Sequence, residues 1–455
     1  MNTSKRNAAA IGRGSLLALA LTLCAPMNTE AQKKWTLKEC LDYAMQHNIS
    51  LKKSQLKQQS ANEDVRQSKA ALLPSLSAST NHSVGYQPLK DSGVSTVTNG
   101  MVNTKVDKTS YNGAYSVNAQ WTLWNGNRNR NTVKLGVLTE QQAELSASET
   151  ANTLQENIAK LYVQSLYLTE AIGVNEATLA TSRKNEERGQ EMLNVGKMSK
   201  ADLAQLSAQR STDEYNCVEA QSQLANSKLQ LRQLLELSHE EDFDVDVPNA
   251  SDEMALQEIP ALNAVYEAAL AQRPEIQSAE LAIKSSQLSV KMARAERMPT
   301  VNLSAGVGTG TNSLTGRAWG EQMKGNVDAT AGVSISVPIL DQRQAKTSIN
   351  KAKLQEMSAQ LDLKDKQKAL YQTIEGYWLD AQTNQQKFRA ARATVASEQQ
   401  SYDLLQEQFR LGLKNIVELM TGKDKLLAAQ QNLLQSKYMT LLNIQMLQFY
   451  QGGMK

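Results

Sequence analysis

Residues 111–125 read YNGAYSVNAQWTLWN, and this stretch decides the fold. Every second residue from Tyr111 to Leu123 is apolar, aromatic or glycine, and the residues between them are small or uncharged polar residues. This alternation predicts a β-strand with one apolar face and one polar face. The segment that follows, from Asn125 to about Leu193, contains no proline and little glycine, which predicts a long helix directly after the strand.

The same alternation recurs in residues 327–337 (VDATAGVSISV), and two shorter stretches share it. The sequence therefore predicts four strands, at about 74–86, 110–124, 299–310 and 327–340. The segments that join them in pairs, 87–110 and 311–326, are rich in Gly, Ser, Thr and Asn and are predicted to be surface loops. Trp319 is predicted to fasten the second loop.

The two faces of these strands favour a membrane β-barrel, although a soluble sheet shows the same alternation. The apolar faces carry few bulky residues that would pack against a core, and the polar faces are nearly uncharged. Apolar residues towards lipid and small polar residues inside are typical of such a barrel. Four aromatic residues near the strand ends are predicted to form an interfacial belt, with ordinary strand packing as the alternative: Tyr86, Tyr111, Trp121 and Trp124.

Four strands are too few to close a barrel, because the smallest membrane barrels have about eight. An open sheet in lipid would also leave backbone groups without hydrogen bonds. The strand count therefore predicts an oligomer, and three chains would supply about twelve strands.

Long helices are predicted to follow the second and fourth strands, over about 125–193 and 341–410, each roughly 100 Å long. Asn125 and Asp341 are predicted N-caps. Gly196 and Gly412 are predicted to mark turns into return helices. Apolar residues recur in steps of three and four, which indicates coiled-coil packing, as in the row Leu419, Leu426, Leu433 and Leu447.

The chain also contains an internal repeat. Residues 37–79 resemble residues 262–304, with Pro74 aligned to Pro299, and the later strand and turn segments align 216 residues apart. We therefore predict a first repeat at 32–237, an acidic linker at 238–260 and a second repeat at 261–455.

Residues 1–31 have the features of an export signal. A basic start is followed by an apolar run from Leu16 to Leu23, which is too short to span a bilayer, and a small-x-small site precedes Gln32. Lipidation of Cys24 is the alternative, although Leu23 is large for that signal. No later segment is apolar for about 20 residues, so no membrane-spanning helix is predicted.

Little in the sequence suggests catalysis or nucleic-acid binding. The formal net charge is only +3, and His47, His82 and His239 are scattered. No catalytic, metal-binding or cofactor motif is recognisable, and the GxGxG at 306–310 lies in a strand without a following helix. A disulfide between Cys40 and Cys217 is one alternative. The position of Cys217 on a helical apolar seam favours the other, a buried free thiol.

Four short segments resemble the TolC family of outer-membrane factors. Residues 193–203 (LNVGKMSKADL) and 409–419 (FRLGLKNIVEL) look like its two helix-tip motifs. Residues 121–126 (WTLWNG) and 338–341 (PILD) look like its strand-to-helix junctions. Each motif is weak alone, but their order and spacing together are specific.

The resemblance implies a mainly α-helical homotrimer without a cofactor, in which a twelve-stranded outer-membrane barrel continues into a coiled-coil periplasmic tunnel. It also implies docking to a periplasmic adaptor and coupling to an inner-membrane transporter of the RND or ABC type. The family's adaptor contacts correspond to the two turns: Gly196, Lys197, Met198, Ser199, Gly412, Leu413, Lys414 and Asn415.

The family also narrows its tunnel near the tips, which corresponds to Asp202 and Glu418 here. A solvated first-turn carboxylate is the simpler interpretation of Glu418. Some members carry a second carboxylate three residues later, where this chain has Thr421, so the resemblance does not extend to a double acidic ring. For Lys414 we also consider pairing with a neighbouring helix in a closed state.

Two other hypotheses differ in class from an export duct. A periplasmic coiled-coil scaffold would be soluble after membrane removal, and the alternation in all four strands argues against it. A secreted enzyme with helical arms would need a catalytic constellation that the sequence does not offer.

Overall fold

The computed structural model describes residues 34–89, 93–97, 100–104, 107–238, 243–247 and 251–452. The predicted signal peptide 1–31, with Cys24, lies outside the described residues. The helices are α1 Leu37–His47, α2 Ile49–Ala70, α3 Arg128–Asn194, α4 Lys200–Leu235, α5 Asp252–Ala255, α6 Leu262–Gln272, α7 Pro274–Ala295, α8 Trp319–Gly325, α9 Gln344–Arg410 and α10 Ile416–Gln451. The strands are β1 Lys34–Trp35, β2 Ser75–Tyr86, β3 Gly93–Val97, β4 Gly100–Thr104, β5 Thr109–Trp124, β6 Asp244–Val245, β7 Thr300–Asn312 and β8 Asp328–Ser336.

The fold is mainly helical, and its helices differ greatly in length. Both α3 and α9 have 67 residues, whereas their return helices α4 and α10 have 36 residues each. The shorter α2 lies along α3, while α7 packs against both α3 and α9. The two long hairpins meet where α10 packs against α3. Among the described helices none is long and apolar enough to cross a membrane.

The main sheet is antiparallel and open, with strand order β2-β5-β7-β8. Tyr115 of β5 lies opposite Thr80 of β2 on one side and Thr309 of β7 on the other. A bulge interrupts β5 between Thr122 and Trp124. Within the described part of the chain β2 and β8 are edge strands, so each has one side without a strand partner.

The fourth strand is shorter than predicted. The alternation predicts a strand at about 327–340, but β8 ends at Ser336, which pairs with Thr300 at the start of β7. Pro338 has no backbone N–H and cannot continue a ladder. Ile339 and Leu340 extend beyond the sheet, and their side chains are almost completely exposed.

One face of the sheet is apolar and open. The strand register places alternate residues of all four strands on the same face, which we call the apolar face: Leu76, Ala78, Val117, Ala119, Leu303, Val307, Val333 and Ile335. Leu76 and Ile335 are the most exposed of the large side chains on this face, at 75% and 67%. The helix α8 packs on this face at the end that lies far from the long helices.

The two segments predicted to be loops contain regular structure. Segment 87–110 includes the β3–β4 hairpin, which its loop-like composition does not indicate. Segment 311–326 includes a 3-10 turn at Ser313–Thr315 and the helix α8, which begins at Trp319.

The predicted N-cap at Asn125 is displaced by two residues. The structure places Gly126 and Asn127 in the left-handed region, with φ of 65° and 64°, so α3 begins at Arg128. The Asn125 side chain still accepts a hydrogen bond of 3.2 Å from the N–H of Asn129. Asn125 therefore still caps an N–H group of the first turn, although it lies two residues before the N-cap position.

The junction at Asp341 follows the same course. Gln342 and Arg343 have φ of 50° and 69°, and α9 begins at Gln344. The Asp341 carboxylate accepts hydrogen bonds of 3.1 and 2.8 Å from the N–H groups of Arg343 and Ala345. Two left-handed residues redirect the chain from strand to helix at both junctions, which the residue types alone did not predict.

The main core lies midway along the long helices. It contains Cys40, Ile158, Leu231 and Tyr438, beside the short parallel pair β1–β6. That pair joins the start of the predicted first repeat to the predicted linker 238–260, of which residues 239–242 and 248–250 lie outside the described residues. Cys40 and Cys217 are both buried and free, and no disulfide joins them.

Candidate functional site at the helical turns

The first turn between long helices is built around Gly196. Its φ of +73° is a left-handed conformation that glycine adopts without strain. The N–H of Gly196 donates to the carbonyl of Leu193 at 3.0 Å, and the N–H of Lys197 donates to the carbonyl of Met192 at 2.8 Å. These two bonds form a Schellman motif, which ends α3 and satisfies its last carbonyl groups.

The second turn has the same construction around Gly412, whose φ is +74°. Its N–H donates to the carbonyl of Phe409 at 3.0 Å, and the N–H of Leu413 donates to the carbonyl of Gln408 at 2.9 Å. The structure therefore places both glycines in tight turns of one type.

The return helices begin with side-chain caps. Ser199 accepts a hydrogen bond of 3.1 Å from the N–H of Asp202, and Asn415 accepts one of 2.9 Å from the N–H of Glu418. Lys414 lies 2.5 Å from the Glu418 carboxylate, in the same chain. Within the described residues no hydrogen bond or ion pair joins Asp202 to Glu418, so each carboxylate belongs to the start of its own helix.

Apolar side chains are exposed at both turns. Val195, Leu411 and Leu413 are all more than half exposed, and Leu413 reaches 71%. Met198 differs, because it is partly buried against a small core that joins both hairpins: Leu206, Tyr402, Phe409, Ile416, Leu419 and Leu426. Of the turn residues that the resemblance assigns to adaptor contact, Met198 therefore packs inward, and the others are exposed.

The helices pack closely behind the turns, where a glycine faces a leucine in each hairpin. A Cβ added to Gly189 would lie 2.5 Å from Cδ1 of Leu206, and one added to Gly422 would lie 2.6 Å from Cδ1 of Leu405. In the first hairpin the glycine is on the outgoing helix, whereas in the second it is on the return helix. The same contact is thus made in both hairpins with the partners exchanged.

A buried polar network crosses between the hairpins close to the turns. Lys423 of α10 pairs with Asp213 of α4, and the Ser182 hydroxyl of α3 donates to the same carboxylate at 2.5 Å. Sequence reasoning missed these residues. A signal was present, because Asp213 shares a seven-residue spacing with three buried residues of α4: Leu206, Ala220 and Ser227.

Further polar contacts join the helices nearer the main core. The Tyr438 hydroxyl donates to Glu170 at 2.6 Å, and the Tyr377 hydroxyl donates to Glu156 at 2.5 Å. Burial and the Glu170 carboxylate raise the pKa of Tyr438 well above its usual range. Burial alone would raise the pKa of Glu156, but hydrogen bonds from Lys160 and Tyr377 hold it below its ordinary value.

The predicted aromatic belt residues lie at two levels of the sheet. Trp121 donates its indole N–H to the carbonyl of Leu72 at 2.8 Å, near the helical end, and Trp124 is close by on the same strand. Tyr86 and Tyr111 lie near the far end, where the Tyr111 hydroxyl is 2.6 Å from Nδ1 of His82. No group of three or more His, Cys, Asp or Glu side chains in the described part of the chain is placed to hold a metal ion.

The fold, two long helical hairpins joined to a small antiparallel sheet, is shared by solved structures of other proteins. The chain superposes on CusC with a TM-score of 0.77 at 18% identity, covering 92% of each chain. It superposes on the CmeC outer membrane channel of Campylobacter jejuni with a TM-score of 0.77 at 17% identity, covering 92% of this chain and 86% of CmeC. At these identities the likeness concerns the fold.

Sequence comparison identifies the family. The chain is 24% identical to the outer membrane efflux protein BepC of Brucella suis biovar 1 over 425 residues, 93% of this chain and 87% of BepC. Residues 40–236 and 265–453 match the family model of outer membrane efflux proteins. The chain belongs to this family, its location is the outer membrane, and its general role is that of an efflux channel.

Proposed function

We propose that three copies of this chain form one passive export duct, with a twelve-stranded barrel in the outer membrane and a coiled-coil tunnel in the periplasm. The observation that carries the proposal is the open sheet β2-β5-β7-β8, with its two edge strands and its exposed apolar face. In lipid such a sheet requires partners at both edges.

Strand direction is compatible with closure. Successive strands alternate in direction across the sheet, so β8 runs opposite to β2. A β8 edge from one copy and a β2 edge from the next therefore meet in antiparallel orientation. Repetition of this contact generates a closed antiparallel ring, as membrane barrels require.

The long helices also carry surfaces suited to a second copy. Leu354, Met357 and Leu361 form an exposed apolar row on α9, and Tyr215 and Val218 are exposed on α4. We assign these rows to the seams between subunits. The polar sheet face, with its serines and asparagines, would then line a wet interior through which cargo passes without chemical change.

The turns are proposed to meet a periplasmic adaptor, which links the duct to an inner-membrane transporter of the RND or ABC type. The exposed apolar residues Val195, Leu411 and Leu413 support this assignment, because solvent-exposed apolar clusters often mark protein contacts. Asp202 and Glu418 are proposed to form the periplasmic constriction. Three copies of Glu418 near a threefold axis would attract cations.

Native mass spectrometry in detergent tests the assembly, and planar bilayers test the conductance. We expect a complex of three chains with channel conductance. Met357→Glu should dissociate the trimer, whereas Gln355→Glu, which introduces the same charge on another side of α9, should not. A chain that stays monomeric, or that fractionates as soluble without its membrane, would support the scaffold hypothesis instead.

Site-specific photo-crosslinking in cells tests the turns. A crosslinker at Lys414 should capture a periplasmic protein, while one at Leu89, at the far end of the sheet, should not. Capture of nothing from Lys414 in cells that export normally would contradict adaptor docking at this turn.

A further inference from the structure

The helix α8 is fixed to the sheet by hydrogen bonds. The Thr309 hydroxyl donates to the carbonyl of Met323 at 2.9 Å. The buried Gln322 amide accepts from the N–H of Asn312 at 2.7 Å and donates to the carbonyl of Arg317 at 2.7 Å. These bonds hold the seven-residue helix against the end of β7, so its side chains have defined positions.

An aromatic row crosses the apolar face at the level of α8. The Trp319 ring stands edge-on to Tyr115, with centroids 6.4 Å apart, and Tyr115 stands edge-on to His82 at 5.2 Å. Tyr111 stacks on the other side of His82. Trp319 is nevertheless 58% exposed, so much of its indole faces the surroundings of the sheet.

The height of the apolar band places this row at a membrane interface. Trp121 near the helical end and Tyr111 of the row are ten residues apart on β5, which is about 33 Å along the strand. At a strand tilt of about 40° this corresponds to about 25 Å along the membrane normal. The apolar band of bacterial barrels is about 25 Å tall and has aromatic girdles at both interfaces. Trp121 and the row containing Trp319 have the separation expected of two such girdles.

Two cations flank Trp319 in the sequence of this segment. Arg317 precedes α8 and Lys324 is in its last turn, and both are exposed. Neither forms an ion pair with any residue that the structure describes, and Glu321 is the acidic residue of the helix. Arginine and lysine bind phosphate groups, and tryptophan prefers the headgroup level of a bilayer.

We infer that α8 is an interfacial anchor that lies in the headgroup region of the outer leaflet and binds phosphate-bearing lipid headgroups through Arg317 and Lys324. The inference rests on the proposed function, since it requires the sheet to be in the membrane. The helix thereby sets the height of the barrel in the bilayer.

Tryptophan quenching by brominated phosphatidylcholine in reconstituted vesicles tests the inference. The signal of Trp319 is the difference between wild type and Trp319→Phe, and that of Trp121 is obtained from Trp121→Phe. We expect bromine near the headgroup to quench Trp319 more strongly than bromine near the chain end. Placing the bromine on phosphatidylglycerol instead of phosphatidylcholine, at the same mole fraction, should strengthen the quenching of Trp319, because the anionic lipid recruited by the two cations then carries the quencher. Arg317→Gln/Lys324→Gln should remove this increase. The matched control is Lys364→Gln/Lys368→Gln on α9.

Each outcome has a separate meaning. If aqueous iodide quenches Trp319 while brominated lipid quenches only Trp121, the anchor is wrong and the barrel stands. If brominated lipid quenches neither tryptophan, the proposed function fails as well. A shallow Trp319 signal that is equal for brominated phosphatidylcholine and brominated phosphatidylglycerol overturns headgroup binding through Arg317 and Lys324.

Discussion

Lys423 of α10 forms an ion pair with Asp213 of α4 that is almost completely buried, with side-chain exposures of 5% and 2%. The Lys423 ammonium also donates to the Ser182 hydroxyl at 3.0 Å. Three helices meet at this point, two from the first hairpin and one from the second. The contact therefore ties the hairpins together a few helical turns from the candidate site.

Replacing Lys423 should destabilise the chain strongly. Lys423→Met leaves the buried Asp213 carboxylate without its cation, which costs about 3–5 kcal/mol. Lys423→Met/Asp213→Leu should recover most of the loss, because no buried charge remains. Thermal unfolding followed by circular dichroism measures both. Lys425→Met, at an exposed neighbouring position, is the control, and equal midpoints for Lys423→Met and Lys425→Met would contradict the role of the pair.

Replacing two glycines of α3 by alanine should change the free energy of unfolding in opposite directions, because only Gly189 faces a leucine. Gly189→Ala should destabilise by about 1–3 kcal/mol, because the new methyl group overlaps Leu206, which is itself buried in the small core behind the turns. Gly173→Ala has nothing within 4 Å and should stabilise α3 by about 1 kcal/mol through helix propensity. Urea unfolding of both variants measures the difference. A stabilising Gly189→Ala would show that the hairpin opens at this contact without cost.

The stability of the fold should depend on pH through the carboxylate of Glu156. Its pKa is lower in the folded chain than the ordinary value of 4.5. The ionised form therefore stabilises the fold above pH 4.5, and the contribution is lost as the pH falls through the lowered pKa. Glu156→Gln should reduce the loss of thermal stability below pH 4.5, while Glu149→Gln, on the exposed side of α3, should not. An unchanged acid profile in Glu156→Gln would rule out this contribution.

The buried thiols should be unreactive in the folded protein. Burial raises the pKa of Cys40 to about 12 and also raises the pKa of Cys217, which removes the reactive thiolate near neutral pH. Iodoacetamide should modify neither before denaturation and both afterwards, as mass spectrometry would show. Lys197→Cys, in the exposed first turn, should react at once. Loss of both thiols to a disulfide in purified protein would contradict the structure.

Replacing Leu413 by a polar residue should weaken docking to the adaptor without destabilising the fold. Leu413→Ser should weaken adaptor capture from Lys414 by roughly tenfold, as expected for the loss of one apolar anchor. Its unfolding midpoint should stay at the wild-type value, since Leu413 is exposed. Leu89→Ser, equally apolar and exposed at the far end, should affect neither measurement. Undiminished capture by Leu413→Ser would remove this residue from the docking surface.

Much of the architecture could be predicted from local patterns. Alternation places the strands, because successive side chains of a strand point to opposite faces. The glycines of both turns could be predicted because helix ends favour a left-handed residue there. Neither pattern reports where a strand stops pairing, so β8 was predicted too long, and α8 was missed because its seven residues carry no clear period.

By itself the sequence determined the family, the paired strands and long helices, and the two tight turns, since these depend on residue types at short spacing. The tertiary structure alone decided which distant residues meet. Lys423 pairs with Asp213, which is 210 residues away in the sequence, and Trp319 contacts Tyr115 edge-on. The glycine of each glycine–leucine contact lies on the outgoing helix in the first hairpin and on the return helix in the second. Such contacts depend on how whole helices and strands pack, and no local pattern specifies that packing.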